Sequence, residues 1–340
     1  MDIMPKDSEC TVELMAIASA AVYKVKKDDK IDEQEYQQTL ADIKSHGYEY
    51  ENAIAPITSG GSGTTRLGAL CLKPKDDKSP IVISFRGTKS GYDVLSDINI
   101  GLTGTAGKNL REAAYKYYQK IQKQNPGRKI VLTGHSLGGH LAHYVGTKAY
   151  NEEPQLQEKP SIQVRTFNTA PCDTAHKAVF QKKPHLLSNF VNYRLSKDVI
   201  SDLPLQKYQG NTFVFPYKPE TLFQVDSYKA HLLNTIKKTI PDDVLEQKVG
   251  ADNQSSKNHN LLVELARGIT SSYQCRVEGQ FFSKFRAGSR NLEKMQDALP
   301  KVIESLNNKN YEDAIIKLKA LEGQLEGKMS NHMIDTLMRS

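Results

Sequence analysis

Ser136 stands in Gly134-His135-Ser136-Leu137-Gly138-Gly139, a GxSxG pattern at the end of the apolar run Ile130-Val131-Leu132. A serine hydroxyl is a poor nucleophile at neutral pH, so it reacts only where a base and oxyanion donors reach it together. A tight strand-to-helix turn meets that need by projecting the hydroxyl from the backbone. Glycines two residues before and two after the serine remove side chains that would collide there. The residues that follow, with Leu141, Val145 and Ala149 on one face, predict a helix from Leu137 to about Tyr150.

Acyl chemistry at Ser136 produces an oxyanion, and amides must receive it. The backbone N–H of Leu137, next after the serine, is one candidate, and Thr88 in Phe85-Arg86-Gly87-Thr88, at the end of an earlier strand, is the other. Asp198 follows the predicted strand Phe190 to Leu195, and a carboxylate at a strand end can orient an imidazole over a neighbouring turn. Asp202, before Leu203-Pro204, is its competitor. Of the nine histidines, His231, His259 and His332 follow that acid in chain order. His259 lies in a polar loop just before the apolar stretch Leu261 to Ala266, a junction that suits a base, and His231 precedes a similar stretch. His135, His140 and His143 flank the serine in positions that suit packing or hydrogen bonding.

These side chains need a scaffold. Apolar residues at helical spacing from Thr11 to about Val25, and again from Asp32 to Ile43, predict two helices that form an amino-terminal cap. Glu49 to Ile57 and Arg66 to Leu72 read as strands joined by a glycine-rich turn, and Pro80 to Phe85 as a buried strand. Leu110 to Gln124 fits a helix, preceded by Gly101 to Gly107, which reads either as a flap over the site or as a plain surface loop. Ile162 to Phe167, Phe190 to Leu195 and Thr212 to Phe215 complete the strands. Strands alternating with helices imply a largely parallel α/β sheet flanked by helices, whose sites lie at the carboxyl ends of its strands. Asn291 to Leu306 and Tyr311 to Leu325, separated by Asn307-Asn308-Lys309-Asn310, predict a carboxy-terminal helical hairpin.

Four segments in order, FRGT at 85–88, GHSLGGHLA at 134–142, FNTAP at 167–171 and DVISDLP at 198–204, resemble the class 3 lipase family of α/β-hydrolases. The resemblance runs from roughly Glu49 to Leu265. It implies an α/β-hydrolase fold and a serine hydrolase of lipid carboxylic esters that needs no cofactor and no metal. It assigns Ser136 as nucleophile, Asp198 as acid and His259 as base, with Thr88 and Leu137 at the oxyanion. Asp93 to Ile98 resembles a family segment that usually carries tryptophan, where this chain has Val94 and no tryptophan anywhere. The expected organisation is a helical extension over 1–48, the hydrolase domain over 49–270 and a helical appendage over 271–340.

The chain has 340 residues and a formal net charge of +7, with acids interspersed among the basic residues. That pattern argues against a nucleic-acid partner and leaves peripheral contact with an anionic membrane open. Cys10, Cys71, Cys172 and Cys275 form no CxxC pair, which excludes a zinc-ligand spacing and points to reduced thiols. No apolar run is long enough to span a bilayer, and residues 1–8 lack the pattern of a secretory signal. The expectation is a soluble protein, cytoplasmic or exported by a route that reads no such signal. Alternatives are a phospholipase A or lysophospholipase acting on membranes as an exported bacterial effector, and a non-catalytic scaffold that binds an unknown protein through its carboxy-terminal helices.

Overall fold

The computed structural model describes residues 8–25, 36–54, 67–87, 104–170, 178–195, 198, 210–215 and 232–249, with isolated positions between 297 and 320. The chain divides into two compact units, Met1–Asn211 with Pro219–Gly250, and Thr212–Lys218 with Ala251–Ser340. Seven strands lie in sequential order in one sheet: β1 (Tyr48–Ile54), β2 (Ala69–Pro74), β3 (Ile81–Phe85), β4 (Ile130–His135), β5 (Ile162–Phe167), β6 (Phe190–Leu195) and β7 (Asn211–Phe215). The β1–β2 and β2–β3 pairings are antiparallel, and β3 through β6 pair in parallel. The parallel α/β core expected from the alternating pattern is therefore present, with an antiparallel edge at β1 and β2.

Every residue of β3 and β4 is buried, as continuous apolar strands require when both sheet faces are covered. Alternation divides their side chains between two layers. Ile81, Ile83, Ile130 and Leu132 join a cluster with Tyr118 and Ile121 of α3 (Gly104–Gln124) and Leu141 and Val145 of α4 (Leu137–Glu152). Thr133 faces the other way, where its hydroxyl meets Ser19 of α1 (Val12–Ala21) at 3.1 Å. α1 is buried at eight of its ten positions, and it packs on β3 and β4. Thr11 caps it, its hydroxyl accepting a hydrogen bond from the Leu14 amide at 3.2 Å. An isolated antiparallel bridge from Thr11 to Lys248 ties the residues before α1 to the end of the same unit.

α3 departs from expectation at its start. It begins at Gly104 rather than Leu110, so Gly104 to Gly107 form its first turn instead of a flap or loop. Glycine weakens a helix mainly in the interior, and the first turn tolerates it. The second helix, α2, runs Gln37–Ser45. Cys10 and Cys71 are buried free thiols, and burial pushes the Cys10 thiol up to about 12.

In the second unit the described residues between 297 and 320 are all helical. Ser305 donates a hydrogen bond to Asp313 at 2.5 Å, and Lys317 donates to both, at 2.8 and 2.6 Å. The two bonds of Ser305 join residues on either side of 306–312, which lie outside the described residues, and the Lys317–Asp313 bond is an i,i+4 pair.

Candidate active site

β4 and α4 meet at Ser136, whose backbone has φ 58° and ψ −128°. A non-glycine residue in that conformation costs of order 1–3 kcal/mol and persists only where its surroundings over-determine it. Here they do. The Ser136 amide donates to the Phe167 carbonyl at 3.2 Å, and the Ser136 carbonyl accepts from His140 N–H at 3.3 Å and Ala170 N–H at 3.0 Å.

Packing around the turn explains its glycines. A Cβ on Gly134 would run into the Gly138 backbone, and one on Gly138 would strike the Phe85 carbonyl at the end of β3. A Cβ on Gly139 would sit 2.5 Å from the Thr169 hydroxyl. Strands β3, β4 and β5 thus converge on the turn with no space for a methyl group. Gly87 closes the remaining side: a Cβ there would lie 2.6 Å from the His135 carbonyl and 3.3 Å from Ser136 Cβ. The loop that leads into Thr88 therefore passes directly beside the serine.

Ser136 is 2% exposed, and its Oγ has no hydrogen-bond partner among the described residues. A buried hydroxyl left unmatched costs about 1–3 kcal/mol, so such a group calls for an explanation. Leu137 opens α4, and the amides of a helix's first turn have no intrahelical acceptor. Together with the helix dipole they favour an anion at that end.

Parallel pairing sets the rest of the site. His135 is level with Phe167, and Phe167 with Tyr193, so β4, β5 and β6 end along one edge of the sheet. Asp198 lies three residues beyond the end of β6, fully buried. The structure thus places Ser136 and Leu137 at that edge with Gly87 against the serine, and Asp198 three residues along the chain from the end of β6. Thr88, His259, His231, His332 and Asp202 lie outside the described residues, as does the 93–98 segment.

The histidines around the turn hold structural bonds. His135 meets the Tyr23 hydroxyl through Nδ1 at 3.3 Å. His143 donates from Nε2 to Asn192 Oδ1 at 2.5 Å, and Thr166 donates to the same oxygen at 2.7 Å. Burial pushes the His143 imidazole down to about 4, the Asn192 bond opposing and nearby His140 adding to the fall. His143 is therefore neutral at pH 7 and serves to join α4 to β6.

Two contributors went unremarked in the sequence. Tyr23, in the 3₁₀ turn Val22–Lys24 after α1, has its hydroxyl 2.5 Å from the position a Gly87 Cβ would take, and the Arg86 guanidinium lies 5.7 Å from the centre of its ring. Asn168, in the FNTAP segment, carries φ 39°. Only the motif itself signalled Asn168, and nothing in the local sequence signalled Tyr23.

Residues 82–208 match the family described as Lipase (class 3). This stretch is similar to class 3 lipases. It spans β3 to just beyond Asp198 and holds the whole described edge. The lipases of Rhizopus niveus and Rhizopus oryzae are each 32% identical to the chain over 98 residues, covering 25% of this chain and 25% of theirs. The chain thus spans about a quarter of the length of the curated relatives it matches. Among solved structures, the Rhizomucor miehei lipase propeptide complex aligns with a TM-score of 0.44 and 13% identity, over 70% of this chain and 81% of its own. No helix among the described residues is long and apolar enough to cross a membrane.

Proposed function

We propose that this protein is a serine hydrolase of lipid carboxylic esters, with Ser136 as nucleophile, Asp198 as acid and His259 as base. His259, held by Asp198, takes the Ser136 proton as Oγ attacks the ester carbonyl. The Leu137 and Thr88 amides hold the oxyanion, the alcohol leaves with the proton that His259 returns to it, and water then releases the fatty acid from the acyl-enzyme.

The observation that carries this reading is Ser136 itself: a buried, unpartnered hydroxyl on a strained turn that three strands enforce. A residue needed only to connect β4 to α4 would have no reason to hold a strained backbone and an unmatched hydroxyl together. The similarity of residues 82–208 to the class 3 lipase family supports the choice of lipid esters, and the net charge of +7 supports approach to anionic lipid surfaces.

Labelling by a fluorophosphonate probe tests the nucleophile. Covalent adduct at Ser136 in the unaltered chain, absent in Ser136→Ala, is the expected result; an intact chain that takes up no probe refutes the assignment. His259→Ala and His231→Ala, assayed side by side, decide the base, because removal of the true one abolishes nearly all turnover. A panel of triacylglycerols, monoacylglycerols and phospholipids with a free fatty acid readout then fixes the substrate class.

A further inference from the structure

Asn168 follows the last residue of β5 and is fully buried, with φ 39°. Left-handed backbone is uncommon for residues other than glycine, although asparagine enters it more readily than most. A glycine here would satisfy the turn without strain, so the asparagine side chain must serve another need. Its bonds identify that need. The Asn168 amide donates to the Tyr193 carbonyl at 2.8 Å, and its Oδ1 accepts from the Leu195 amide at 2.8 Å. Parallel pairing of β5 with β6 has ended one residue earlier, at Phe167 with Tyr193. The side chain therefore extends the ladder past the end of the strand and holds the last residue of β6.

The same segment grips the elbow on its other side. Phe167 accepts from the Ser136 amide, and Ala170 donates to the Ser136 carbonyl. Residues 167–170 are thus a short bridge, with Ser136 bound by Phe167 and Ala170, and Leu195, three residues before Asp198, bound by Asn168 between them.

We infer that Asn168 is a positioning residue, whose side-chain carbonyl fixes the chain leading to Asp198 in register with the Ser136 turn. The inference rests on the reading of Asp198 as the acid. It follows from geometry: a carboxylate that orients an imidazole must be held to within a fraction of an ångström, and the pairing of β5 with β6 ends at Tyr193, two residues before the Leu195 amide that Asn168 holds.

Asn168→Gly keeps the turn and removes the acceptor, whereas Asn168→Asp keeps an acceptor oxygen at the same place. With a p-nitrophenyl ester of a medium-chain fatty acid as substrate, Asn168→Gly should lose roughly ten- to a hundredfold in kcat with KM changed by less than about twofold. Asn168→Asp should recover most of that loss. Amide hydrogen exchange provides a readout independent of turnover: in Asn168→Gly the Leu195 amide should lose protection while the Ser136 amide keeps it. Unchanged kcat in a folded Asn168→Gly, or an unchanged Leu195 amide, overturns the inference. Asp198→Ala separates this from failure of the parent reading. If Asp198→Ala retains full turnover the acid assignment itself is wrong, and if it loses turnover while Asn168→Gly does not, only the role of Asn168 falls.

Discussion

Ser136 and Asn168 are the two non-glycine residues with positive φ among those described, at 58° and 39°, and they sit at the ends of adjacent parallel strands. Both are buried and both are locked by main-chain bonds. Their side chains differ. Asn168 satisfies its amide oxygen on Leu195, so its strain is offset where it arises. Ser136 leaves its hydroxyl without a partner among the described residues, so its strain is balanced only by the packing of three strands around it. The contrast separates two uses of one backbone conformation: one holds a neighbouring strand, and the other presents a reactive atom. A strained residue with a satisfied side chain reads as scaffold, and one with an idle polar atom reads as a site.

The sharpest way to break this contrast is Ser136→Ala. Ester hydrolysis should fall by at least about a thousandfold, with thermal stability unchanged or slightly raised, since the substitution deletes an unmatched buried hydroxyl. A marked loss of Tm would mean that the hydroxyl was structural after all. Next comes the packing that enforces the turn. Gly138→Ala places a methyl group against the Phe85 carbonyl, which cannot move without shifting β3, and should cost about 3 kcal/mol or more by chemical denaturation. Gly127→Ala is the control: its φ is 76° but nothing lies within 4 Å of the added carbon, so the cost should stay near 1 kcal/mol.

The His143 bond to Asn192 joins the helix that follows Ser136 to β6 and carries a pH dependence. Because the folded-state pKa, at about 4, is below the ordinary value of 6.5, the unfolded chain takes up this proton first as pH falls. Stability from this group is complete above pH 6.5 and declines down to about pH 4, by about 3 kcal/mol in all. Urea titrations of the parent and of His143→Gln across that window should show a shallower slope in the variant; equal slopes would exclude His143 as the source. The smallest effect is expected from Tyr23→Phe. Losing the bond to His135 should cost about 1 kcal/mol and lower kcat only severalfold, by loosening the loop at Gly87. A loss as large as that of Ser136→Ala would move Tyr23 from the loop's support into the chemistry.

Much of this was legible in the residues. β3 to β6 are short runs rich in β-branched and aromatic residues with turn residues around them, and α1 shows helical spacing, so periodicity found them. The elbow was visible because its glycines answer a local steric demand. The start of α3 at Gly104 was not, because glycine composition speaks for a loop while the helix gains its stability from Tyr118 and Ile121 further along. Asn168 and Tyr23 were hidden for another reason. Each acts through a partner, Leu195 or His135, that only strand pairing and helix docking bring near, and no local pattern encodes those distances.

α1 has a consequence for how the protein is made. Buried at eight of ten positions, it leaves the ribosome well before β4, which begins 109 residues after α1 ends (130 minus 21). At synthesis rates of about 5–20 residues per second, that apolar segment waits roughly 5–20 s for its main partner strand. Nascent chains should therefore bind hydrophobic-segment chaperones over this interval, and slower translation between Ala21 and Ile130 should lower the soluble yield.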